Sequence, residues 1–173
     1  MKRIAWVALA LVGCGVLLPR SAFDEELRVG KFAFAYGEGA EWYGYDVLHV
    51  THDGDARYVF SELPPGSKEP RWREHRFRLD EAMLNALKAE INDAGLVRLR
   101  DSYGSEGQHA FVWVRVGGQQ RLVRVQGTPP LEFVRVAEFA QRKILDPQRP
   151  ALENAATIDA DEGRAAADEG LGE

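Results

Sequence analysis

YDVLHVTHDGDARYVFSEL, residues 45–63, is the stretch whose reading decides the fold. Two runs rich in aromatic and β-branched residues flank Asp53-Gly54. A glycine at that point tolerates the positive φ that a tight reversal demands, so the stretch reads as an antiparallel hairpin. The same grammar returns where AFVWVRV (110–116) and RLVRVQ (121–126) flank Gly117-Gly118. Upstream, LRVGKFAFAY (27–36) alternates as a strand does, and HRFRL (75–79), after the Pro64-Pro65-Gly66 turn, reads as a short one.

Two helical patterns interrupt the strands. Asp80 stands at an N-cap position, Leu84, Leu87, Ile91 and Ala94 recur on one face, and Gly95-Leu96 fits a glycine C-cap with its hydrophobic contact. The second helix opens at Thr128-Pro129-Pro130, where the first turn tolerates proline, and offers Phe133, Val136, Ala137, Ala140 and Ile144 for burial. Hairpins are antiparallel, so the expected class is α+β: an antiparallel sheet of two hairpins plus one or two further strands, with two helices packed on one face. At 173 residues the chain is long enough for one core and too short to expect two. The expected division is 1–22 as a leader, 23–146 as a single domain and 147–173 as a disordered acidic tail.

That tail carries seven acids against two bases and no aromatic residue, which leaves the rest of the chain neutral. Such a composition buries too little surface to offset its ordering entropy. Truncation after Leu145 is therefore expected to leave the thermal midpoint unchanged.

The leader begins with Lys2 and Arg3 and continues with an uncharged run from Ile4 to Leu18. Fifteen residues suit a secretory signal better than a span, which wants about 20. Leu11-Val12-Gly13-Cys14 resembles the lipobox of bacterial lipoproteins, a resemblance that implies cleavage before Cys14 and lipidation of its thiol. An ordinary signal and an uncleaved short anchor are the other two readings. All three place the body outside the cytoplasmic membrane, lipid-anchored, periplasmic or secreted. Cys14 is the only cysteine, so no intrachain disulfide can form. The strand and helix order, with Asp101-Ser102-Tyr103-Gly104 before the second hairpin and Thr128-Pro129-Pro130 opening the last helix, is similar to uncharacterised bacterial envelope and lipoprotein domains. That likeness implies no activity.

Strand parity sorts the side chains into two sets. In the second hairpin Ala110, Val112, Val114, Val123 and Val125 oppose His109, Phe111, Trp113, Arg115, Leu122 and Arg124. A two-residue turn at Asp53-Gly54 sets Leu48, Val50 and Val59 against Tyr45, Val47, His49, Tyr58 and Phe60; in the opening strand Phe32, Phe34 and Tyr36 share one side. With the aliphatic side under the helices, Tyr45, His49, Tyr58, Phe60, Phe111, Trp113, Arg115 and Arg124 form a candidate binding face. The competing reading makes the aromatic side core, or covers it with the loop from Pro64 to His75.

No catalytic motif stands out. His49 and His52 are three apart on a strand and point to opposite faces, so neither a metal nor any other cofactor is expected. Asp53-Gly54-Asp55 lacks the later acids of a calcium loop and reads as a turn. No Gly-x-Ser-x-Gly turn or P-loop lysine is present. PRWREHRFR (70–78) is basic with interleaved aromatics, which outside the membrane suits a charge-protected edge strand, or an anionic headgroup or acidic glycan, rather than nucleic acid. The functional expectation is a non-enzymatic envelope module binding or supporting an envelope protein or glycan, with membrane contact through the N-terminus. The alternative is a small hydrolase that uses His49 or His109 as acid/base.

Overall fold

The computed structural model describes residues 25, 27, 30–40, 44–100, 102–104 and 109–169. Cys14 and the rest of the leader lie outside them. Eight strands form one sheet: β1 (Phe32–Ala40), β2 (Gly44–Thr51), β3 (Asp55–Glu62), β4 (Arg71–Arg78), β5 (Ser102–Tyr103), β6 (His109–Val116), β7 (Gln119–Gln126) and β8 (Ala156–Ile158). Their spatial order is β5-β7-β6-β1-β2-β3-β4-β8, which sets β1 between the two hairpins. Every pairing is antiparallel except the short β5, which runs parallel to β7. The helices are α1 (Glu81–Ala94), α2 (Leu131–Phe139, running on through a π turn at Ala140–Leu145), α3 (Arg149–Leu152) and α4 (Ala160–Glu169). The class is α+β. Among the described residues no helix is long and apolar enough to cross a membrane.

The caps behave as the chemistry of their residues requires. The Asp80 carboxylate accepts the Met83 N–H at 2.7 Å, and Gly95, at φ +69°, turns its own N–H back onto α1. The buried face of α1 packs with Phe133 and Val136 of α2 over Phe32, Phe34 and Tyr36 of β1, Leu48 and Val50 of β2, and Val112, Val114 and Val123 of the second hairpin. The aromatic residues of β1 are thus core.

One half of the parity reading needs correction. In the second hairpin Val116 pairs with Gln119 across a two-residue turn, and both sets of side chains fall where sequence places them. In the first hairpin Val50 pairs with Ala56 and Leu48 with Tyr58, so the loop has three residues, His52 to Gly54, with Gly54 at φ +83°. A one-residue change of register moves every side chain of a strand to the other face. Tyr58 and Phe60 therefore join Leu48 on the α1–α2 side, and Val59 joins Val47 on the other.

The expected tail is also different in residues 147–169. β8 pairs with β4, and α4 lies on the sheet face opposite α1 and α2, where Ala166 packs with Ala35, Val47, Val59, Trp72 and Phe111. The composition argument asked whether this segment brings enough apolar surface of its own. It needs little, because the sheet supplies Trp72 and the segment supplies small residues that approach it closely. Arg73 adds backbone anchors, donating to Ala155 O at 2.7 Å and Glu153 O at 3.0 Å. β4 is consequently an inner strand rather than an edge, and α4, not the Pro64–His75 loop, covers this face.

A Cβ at Gly163 would stand 2.4 Å from Trp72 Cγ. Gly163→Val should therefore lift α4 and cost about 1–3 kcal/mol by overpacking, which lowers the thermal midpoint by several degrees. Deleting residues 153–173 should lower it too. Calorimetry of the two variants beside wild type checks this, and a deletion with an unchanged midpoint would return the segment to the status of a tail.

Candidate functional site

The face that carries α4 is built in rows. Arg76 of β4, Arg57 of β3, His49 of β2, Ala35 of β1, Trp113 of β6 and Leu122 of β7 stand opposite one another in turn across the sheet. The next row includes Thr51, Ala33, Arg115 and Gln120. Since opposed residues in a ladder share a face, these two rows project together. β1 contributes only methyl groups here, so space stays open above it beside α4, which lies mainly against β2, β3 and β4. The result is a cavity of about 750 Å³ lined by Ala33, His49, Thr51, Arg57, Arg76, Trp113, Arg115 and Gln120 among others.

Its electrostatics are set at one end by Glu74, a buried carboxylate on β4. Arg57 pairs with Glu74, and Arg76 Nε approaches it at 3.0 Å. Burial would push the Glu74 carboxyl up, but the hydrogen bonds from Arg76 and Arg57 outweigh it and hold the group below the ordinary carboxylate range. Arg57 reaches a second carboxylate, Glu162 of α4, at 3.5 Å. Asp55 also borders the cavity and is engaged by Arg78 at 3.4 Å. At the other end the Arg115 guanidinium lies 5.4 Å from the centre of the Trp113 ring, in cation–π geometry. Trp113 is half-buried, and its Nε1 is shielded from solvent with no acceptor.

His49 ties the cavity to the C-terminal helix. Its Nε2 lies 3.0 Å from Ala166 O, and a carbonyl only accepts, so this nitrogen carries a proton and donates it. His109, farther along β6, accepts at Nδ1 from the Gln126 amide at 3.1 Å.

Of the eight residues that sequence assigned to a binding face, His49, Phe111, Trp113, Arg115 and Arg124 share this side. Phe111 is fully covered, its ring over Gly37. Tyr45 stands opposite Gly39 in the β1–β2 register, and its side chain lies outside the described residues. Tyr58 and Phe60 are on the other side, stacked with centroids 5.2 Å apart. Sequence reasoning passed over Arg57 and Glu162. It took Arg76 and Glu74 as part of the basic segment PRWREHRFR, where every second residue from Trp72 through Glu74 to Arg76 shares a face, without joining them to the candidate face.

A second concavity of about 280 Å³ lies between β1 and α2, and includes Tyr36, Glu38, Phe133 and Gln141. Gln141 donates to Glu38 at 2.5 Å and to the Tyr36 hydroxyl at 3.5 Å, so this polar cluster is closed upon itself. Asp46 faces Glu38 across the ladder, and burial pushes its carboxyl up against the pull of the Ser61 N–H.

No family model matches the sequence, and a search of curated proteins finds no match.

The Glu74 ion pairs give the stability a defined acid limb. A carboxyl held below its unfolded value stabilises fully above that value, about 4.3 for glutamate, and the contribution is lost as pH falls through the folded value. Glu74→Gln should be destabilised at neutral pH, and its deficit should shrink below pH about 4 as the wild type loses the same interaction. Urea midpoints from pH 3 to 7 check this; a deficit independent of pH would assign Glu74 a packing role only.

Proposed function

We propose that the protein is an exported, non-enzymatic module of the cell envelope, held at the membrane through its N-terminus, that binds another envelope component with the β1-centred face of its sheet. The observation that carries the reading is the cavity itself. It joins guanidinium groups and an indole on a rigid ladder, as binding surfaces do. The lipobox-like Leu11-Val12-Gly13-Cys14 supplies the reading of location.

The hydrolase alternative needs His49 or His109 poised for proton transfer. His49 spends the Nε2 proton on the Ala166 carbonyl and so braces α4, while His109 is engaged by a neutral amide. Both contacts fix the orientation of the ring, which gives each histidine a role in holding the fold.

Two outcomes are expected. Cys14→Ser should move the protein out of the membrane fraction with its fold intact, read by fractionation and circular dichroism; retention in membranes would mark the segment as an uncleaved anchor. Trp113→Ala should cost about 2 kcal/mol, roughly half the loss for a fully packed indole. It should also abolish crosslinking to envelope components, because interface aromatics carry much of the binding energy. Unchanged crosslinking would remove this face from the function.

A further inference from the structure

We infer that the cavity over β1 is a site for a multivalent oxyanion, the phosphate or carboxylate groups of an envelope ligand, gripped between the Arg57–Arg76 end and Arg115. This deepens the binding reading above and rests on it for the choice of face.

Charge is the first reason. Among the described residues three guanidinium groups and a histidine border the cavity, and the one bordering carboxylate, Asp55, is engaged by Arg78. Glu74 is a single carboxylate set between Arg57 and Arg76. The second carboxylate at Arg57 comes from α4, where Glu162 stands at 3.5 Å with its side chain about half exposed. A pair at that separation with a half-exposed carboxylate is weak, so an anion entering the cavity can take the place of Glu162 while Arg57 keeps Glu74 as its partner. Guanidinium groups favour such ligands because their planar forks match phosphate and carboxylate oxygens.

The placement of Arg115 is the second reason. Exposed, and over the Trp113 ring at the wall of the cavity, it is positioned to hold the outer side of the ligand.

The test is calorimetric titration of the purified full chain at low ionic strength with two probes, sodium pyrophosphate and sodium citrate. Saturable one-to-one binding that weakens with added salt is expected. Pyrophosphate alone would identify a phosphate site and citrate alone a carboxylate site, and both support the inference. Arg115→Gln should weaken binding about tenfold with an unchanged thermal midpoint, since the side chain is exposed. Glu162→Gln should tighten it, because the competing carboxylate is gone; this variant touches no core residue and guards against loss of folding. Absence of saturable heat from both wild type and Glu162→Gln, or equal affinity in Arg115→Gln, would overturn the inference. Failed titration with intact crosslinking to envelope components would refute the anion site alone and leave the binding face standing.

Discussion

The central strand carries its bulk on one side only. In FAFAYG the alternation of β1 sends Phe32, Phe34 and Tyr36 under α1 and α2, while Ala33, Ala35 and Gly37 line the opposite surface. Three consequences follow from that asymmetry. The aromatic side closes the main core against two amphipathic helices. The small side lets the Phe111 ring from β6 lie over Gly37, where any side chain would collide with it. It also leaves a trough along the middle of the sheet, and the side chains of β2 and β6 become the walls of a cavity instead of one continuous layer. Packing at native density normally erases such space. Here it persists because neither neighbour can fill it without giving up its own contacts: His49 is held by α4, and Trp113 is stacked under Arg115.

How much of this was legible in the sequence depended on turns more than on strands. Both hairpins, the caps of α1 and the proline-led start of α2 follow from local chemistry that needs no partner, and they stand where their residues place them. The faces of the second hairpin were legible because Gly117-Gly118 closes a two-residue loop. The first hairpin has the same glycine signal, yet its loop is one residue longer, and the period of two converts that single residue into an inversion of Tyr58, Val59 and Phe60. The C-terminal segment was illegible for a different reason. Its residues are unremarkable singly, and their fit depends on Trp72, some ninety positions earlier in the chain; Gly163 matters only because an indole lies beneath it. The basic row of β3 and β4 shares this character, since Arg57 and Arg76 become neighbours only through the register of two strands.

The manner in which α4 is held bears on what the face can do. Its seat includes the close approach of Gly163 to the Trp72 ring, apolar contact at Ala166, the His49 hydrogen bond and the long Arg57–Glu162 ion pair, while β8, just before it, is fixed by the β4 ladder and by Arg73. Glu162 is about half exposed, so the group that screens Arg57 is attached less firmly than the buried Glu74, which the folded sheet keeps in place.

The same arrangement bears on the proposed binding role. A binding site wants fixed donors whose charge does not change over the working range, and guanidinium groups meet that requirement. The cavity has them at its two ends, while the Glu74 carboxylate is placed where it orients Arg57 and Arg76. Arg115, over the Trp113 ring on a ladder that fixes both backbones, is held in place by folding, so at that end of the proposed site little ordering cost falls on a ligand.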